Sequence, residues 1–126
     1  MRRTLYESEH EAFRESFRRF LQAEFVPHLD EWDTAGIVAR EFYTAAGKAG
    51  FLAMDAPEEF GGGGVPDFRF NAVIMEEVMR TGAAGAGLGI TLHNDVCLPY
   101  FLEYTTAEQK ARWLPGIASG ELITAI

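Results

Sequence analysis

Three kinds of residue in this sequence could take part in chemistry: glycine clusters, neighbouring carboxylates, and single polar groups set into apolar stretches. Residues 57–68 read PEEFGGGGVPDF, and residues 82–90 read GAAGAGLGI. Glycine-rich turns can bring backbone N–H groups against a phosphate, and the dinucleotide fingerprint G-x-G-x-x-G does so between a strand and a helix. GGGGVP fails that pattern because Pro66 stands at the last glycine, and GAGLGI fails it at Ile90. Neither follows a strand pattern, and no G-x-x-x-x-G-K-[ST] loop occurs. Glu58 with Glu59, and Glu76 with Glu77, are adjacent in sequence. Glycosidase carboxylates face each other across a substrate, whereas sequence neighbours on a helix point apart. These pairs therefore read as solvated or salt-bridged. Thr91 and Asp95 share a helix face beside Leu88 and Leu92. Such a pair can line a ligand pocket or bond to a neighbouring helix, and spacing alone favours the second. His10, His28 and His93 show no metal-ligand spacing, and His93 reads as a satisfied helix histidine. Cys97 reads as a small buried apolar residue. No nucleophile, base and orienting group assemble, so no catalytic residue and no metal site is assigned.

These residues sit on helical elements. Phe13, Phe17, Phe20, Leu21 and Phe25 recur at i, i+4, i+7, i+8 and i+12, one apolar stripe of a helix over 8–25. Pro27 breaks it, and HLDEW adds a short helical piece. A second helix runs over 39–49 with Phe42, Ala45, Ala46 and Ala49 on a narrow face. FLAMDAP is extended and leads into the glycine run. Asp67 is placed to cap a third helix, which carries Phe70, Val73, Ile74, Glu77 and Val78 on its inner side. A fourth spans 86–104, with a kink expected at Pro99. TTAEQ offers two overlapping capping boxes, Thr105 with Glu108 and Thr106 with Gln109, so a fifth helix starts there and ends by Gly120. The fold class is all-α, a bundle of five or six helices. ELITAI differs in kind, being β-branched and apolar like the opening of a strand. It divides the chain into a helical domain over 1–120 and the start of something further over 121–126.

Charge and composition exclude several functions. The 126 residues carry a formal net charge of −8, which opposes nucleic acid and a polybasic membrane anchor. No apolar run approaches the length of a membrane helix, and the N-terminus lacks the apolar core of a secretory signal. One cysteine allows no disulfide within the chain and fits a reduced, cytoplasmic setting.

The order of the elements carries a resemblance. EAFRESFRRFLQAEFVP, REFYTAAGKAGFLAMDAPEEFGGGG, VIMEEVMRTG, LHNDVCLPYF and TAEQKARWLPGIASGELITAI together resemble the N-terminal α-domain of the acyl-CoA dehydrogenase family, almost end to end. Phe60 stands where the family often has tyrosine. The resemblance implies a three-domain enzyme, usually oligomeric, with a middle β-domain after Ile126. It implies α,β-dehydrogenation of an acyl-CoA thioester with FAD, and an electron-transfer flavoprotein or similar acceptor. The flavin motif, of the TEPxxGSD kind, and the catalytic glutamate lie outside these residues. The isolated chain is therefore expected neither to hold FAD nor to turn over, and to expose an apolar patch. The helix with GLGITLHNDVCLP corresponds to one lining the fatty-acyl pocket, so Leu88, Thr91, Leu92 and Asp95 are the implied substrate-binding residues. Asp95 is costly against an alkyl tail, which leaves room for a polar or bulky acyl group. The alternative is a non-catalytic helical interaction module derived from the family. In the family the PEE(Y/F)GG loop is a joint, and its glycines allow a backbone course that Cβ atoms would block.

Overall fold

The first helix forms where the phenylalanine period places it. In this computed structural model, which describes residues 4–126, α1 spans Ser8–Glu24. Phe17, Leu21 and Phe25 are buried, each contributing about 2 kcal/mol by removing apolar surface from water. Pro27 lies in a 3₁₀ turn, Val26–His28, that leads into α2, Leu29–Ala35. Trp32 of α2 meets Phe25 and Phe42 edge-on. Helix α3, Arg40–Lys48, brings in Phe42. Together with Phe20 and Phe51 these rings make an aromatic core. A smaller second core joins Ala53, Ala56, Leu98, Leu114 and Ile117.

Helix α4, Arg69–Arg80, packs lengthwise on α1. Asp67 does cap it, from one residue further out than the boundary suggests: its Oδ1 accepts the Arg69 N–H at 3.0 Å. The same carboxyl also meets the Arg69 side chain. The Arg69 side-chain bond, then the Arg69 backbone bond, hold Asp67 well below the usual carboxylate range.

The predicted fourth helix has the predicted span and a different interior. It is built as α5, Ala84–Thr91, a π-helical stretch, Leu92–Cys97, and α6, Leu98–Glu103. In place of a simple kink at Pro99, the regular ladder is broken just before it. The proline's missing N–H therefore falls where the hydrogen-bond register changes. Helix α7, Ala107–Ser119, starts on the capping box of Thr106 with Gln109. The overlapping box does not form, because the Thr105 hydroxyl donates back to the Phe101 carbonyl. Counting α5 through α6 as one rod gives six rods among the described residues, an all-α architecture. Residues 121–126 lie in neither a helix nor a strand. A strand needs a neighbour to bond with, and the described residues offer none.

The glycine run folds tightly over the segment that precedes it. Gly61 takes φ +87°, a left-handed conformation that side chains disfavour. A Cβ on Gly62 would stand 2.2 Å from the Ala56 carbonyl oxygen. All the amides of the run are used internally. Gly61 donates to Glu58, Gly62 to Pro57, Gly63 to Ala53 and Gly64 to Ala56. The expectation that these glycines serve a backbone course is met, and none of their N–H groups is left for a phosphate.

Candidate functional site

The most chemically unusual corner lies where the π stretch meets the extended segment after α3. Asn94 is buried and grips that segment on both sides. Its Oδ1 accepts the Ala53 N–H at 3.0 Å, and its Nδ2 donates to the Phe51 carbonyl at 2.9 Å. Ala53 has φ +54°, alone among the described non-glycine residues in being positive, and the asparagine holds it there. Such over-determined strain is found at functional sites and costs about 1–3 kcal/mol.

Beside Asn94 stands Asp95. Its Oδ1 accepts from Asn71 Nδ2 at 2.7 Å, whereas its Oδ2 is inaccessible to solvent and has no hydrogen-bond partner. Asp55, two residues after the strained alanine, has one carboxylate oxygen in the same condition. Burial pushes the Asp95 carboxyl up to about 6; the Asn71 bond pulls slightly the other way and the Asp55 charge adds to the rise. Burial also raises Asp55. The corner thus holds two carboxyls that resist ionisation together.

The four residues named from the sequence are distributed around this corner. Leu88 is exposed, at 61% of its surface. Thr91 and Leu92 are half-buried, and the Thr91 hydroxyl donates to the Leu88 carbonyl. Asp95 bonds to α4 through Asn71, as a polar residue joining neighbouring helices does. None of the four lines the surface cavities of 190–580 Å³. The largest of these, between α2 and the start of α5, carries Asp30 and Asp33 on its rim, a poor seat for a pyrophosphate. Sequence reasoning missed Asn71, Asn94 and Asp55. Asn71 carried a usable signal, since it is a polar residue in register with Ile74 and Val78 on the buried side of α4.

A second polar cluster joins α1 to α4. Glu77 is buried and accepts from Arg18 Nε at 2.8 Å, Arg18 Nη2 at 3.0 Å and Arg14 Nη1 at 3.1 Å. Glu76 accepts from Arg14 at 2.8 Å and from the Tyr6 hydroxyl at 2.9 Å. Burial raises the Glu77 carboxyl, but the bonds from Arg18 and then Arg14 outweigh it, so its pKa falls below the ordinary value. The salt-bridged reading of this pair holds, and so do those of His93, which is bonded through both ring nitrogens, and of Cys97, which is buried and unpaired.

The sequence model described as "Acyl-CoA dehydrogenase, N-terminal domain" matches residues 7–121. This chain belongs to the acyl-CoA dehydrogenase family, of which it carries the N-terminal domain. It is 41% identical over 124 residues to the mitochondrial long-chain specific acyl-CoA dehydrogenase of Mus musculus, covering 98% of this chain and 28% of the relative. A crystal structure of an acyl-CoA dehydrogenase from Geobacillus kaustophilus superposes with a TM-score of 0.88 at 42% identity, over 95% of this chain and 31% of that one. A Bacillus anthracis acyl-CoA dehydrogenase complexed with FAD matches at 29% identity and TM-score 0.76, over 96% of this chain and 20% of that one. The chain thus spans between a fifth and a third of the length of these relatives. Among the described residues, no helix is long and apolar enough to cross a membrane.

Proposed function

We propose that this chain works as the helical N-terminal domain of an FAD-dependent acyl-CoA dehydrogenase, which oxidises an acyl-CoA thioester to its α,β-unsaturated form. Residues 1–120 are that domain, and the β-branched 121–126 lead into a β-domain. FAD, where bound, would accept the hydride. The amides of Gly61 to Gly64 are used internally, and the largest cavity is rimmed by carboxylates, so neither is offered as its seat. No step of the reaction is therefore assigned to residues present here. Electrons would pass on to an electron-transfer flavoprotein.

The contribution of this domain is a wall of the acyl pocket. The observation that carries the reading is the rod from α5 to α6, which with its C-terminal cap exposes Leu88, Val96, Tyr100 and Tyr104 at once. Four exposed large apolar groups on one rod call for a covering partner, and an acyl chain with its surrounding domains supplies one. Leu88, Thr91, Leu92 and Asp95 are proposed as the residues that meet the acyl group or set its pocket's shape.

A domain transplant tests this. The chain replaces the corresponding segment of the mouse long-chain enzyme, and kcat/KM is compared across short, long and branched acyl-CoAs. A working chimera should hold flavin and show ratios among substrates that change several-fold in Thr91→Ala and Asp95→Leu, since each buried methylene weighs about 0.8 kcal/mol. A chimera that binds flavin and turns over, but whose ratios are the same in both variants, overturns the pocket assignment. The 126-residue chain alone should be colourless and inactive, and a stoichiometrically yellow sample would contradict that.

A further inference from the structure

His93 and Asn94 are consecutive residues of the π stretch, both buried, and they grip different stretches of backbone. Asn94 holds Phe51 and Ala53, as described above. The His93 ring is wholly buried. Its Nε2 lies 2.9 Å from the Ile117 carbonyl of α7, and its Nδ1 lies 3.2 Å from the Thr124 backbone nitrogen and 2.9 Å from the Thr124 hydroxyl. A carbonyl can only accept, so Nε2 carries the proton and Nδ1 presents its lone pair. That lone pair receives the Thr124 N–H and hydroxyl.

We propose that His93 is a positioning residue whose Nδ1 lone pair latches Thr124 and so fixes the course of the backbone after α7, and that the latch opens when the ring takes a second proton. Thr124 lies past residue 121, where the match to the family's domain ends, so the latch governs backbone outside that domain. It rests on no assumption about substrate or cofactor. The chemistry of opening is simple. A proton on Nδ1 replaces the acceptor with a donor, which repels the Thr124 N–H and opens the backbone half of the latch, while the Thr124 hydroxyl reverses its role and accepts. Among the described residues the ring's hydrogen-bond partners are the Ile117 carbonyl of α7 and Thr124 of the terminal segment. No charged side chain contributes to its titration, and burial lowers its pKa. An imidazole that ionises only below its ordinary value keeps the latch closed at neutral pH and opens it in acid. Stability from this group is complete above the unfolded value near 6.5 and is lost as pH falls from there through the folded value.

The test uses the intact chain and amide hydrogen exchange read residue by residue. In the parent, the Thr124 protection factor should drop about tenfold, the effect of one lost hydrogen bond, on the same midpoint below pH 6.5 as the His93 ring resonances. Two amide variants separate acceptor from filler. An asparagine oxygen can occupy the Nδ1 position, so His93→Asn should keep Thr124 protected and make that protection independent of pH. A glutamine amide reaches the Nε2 position only, so His93→Gln should keep the Ile117 contact and lose Thr124 protection at every pH. Equal protection of Thr124 in parent and His93→Gln overturns the proposal, and so does equal loss in both variants. If neither variant folds, the parent still decides. Coincident midpoints for ring and amide support the latch, and separate midpoints refute it.

Discussion

Two regions of this molecule bury a carboxylate, and they do it in opposite ways. Between α1 and α4, Glu77 is surrounded by Arg14 and Arg18, with Arg80 at 3.8 Å. Every oxygen is bonded, and the carboxyl stays ionised more readily than in water. At the π stretch, Asp95 has one amide partner, one orphaned oxygen and a second acid nearby. The first arrangement is what a helix pair needs to fix its register, since a buried charge is tolerated when fully partnered. The second stabilises nothing at neutral pH. A fold keeps such a group when something other than stability requires it. The acid at the π stretch lies on the rod proposed to line the acyl pocket.

The sharpest way to break this contrast is to remove the compensated charge. Glu77→Gln keeps the shape, removes the carboxylate that Arg18 holds, and leaves Arg14, which is largely buried, with Glu76 and the exposed Glu11. Urea denaturation should show a loss of about 3 kcal/mol, the low end for breaking a buried pair because Arg18 still reaches water. A loss below about 1 kcal/mol would mean that the network is ornamental. Asp95→Asn should have the opposite sign. It removes the charge, keeps an acceptor for Asn71, and should stabilise the chain by about 1 kcal/mol above pH 7, less than full linkage gives because water reaches part of the side chain. The direction with pH follows from the raised value. The protonated acid is favoured in the folded state, so the parent loses stability as pH rises from 3.8 through about 6. The gap between variant and parent should therefore be small at pH 4 and widest above 6, and a gap that narrows with pH would contradict the account. The exposed pair of Glu15 with Arg19 supplies the baseline. Arg19→Ala should change stability by less than about 0.5 kcal/mol, and a larger effect would show that the α1 surface contributes more than its geometry suggests.

What the sequence revealed of this contrast depended on periodicity. The phenylalanine stripe of α1 and the inner side of α4, Glu77 included, follow a 3.6-residue period and could be read directly. The box of Thr106 with Gln109 was equally legible, though nothing local showed that Thr105 would turn back to Phe101 instead of forming a second box. The rod over 84–103 was legible in extent and not in its interior. Its helical period is interrupted over 92–97, and the residues at its heart, His93 and Asn94, are polar types that normally face water. Their burial is explained by partners up to 43 residues away, Phe51 and Thr124 among them, which no local window contains. The orphaned oxygens of Asp55 and Asp95 were invisible for the same reason. Spacing gave Asp95 its place on the rod, but its shortage of partners is a property of three packed elements.

The π stretch also gives this rod one place where its length can change without changing its facing. A residue in an α-helix advances the chain by about 100° around the axis, and a wider π turn accommodates what α geometry would leave over. Deleting one codon within 92–97 would let that turn close to α geometry while Leu98 to Glu103 keep their facing, whereas a deletion inside α5 would turn everything after it by about 100°. In a library of single-codon deletions selected for soluble chains, survivors on this rod should fall within 92–97 and be missing from Ala84–Thr91.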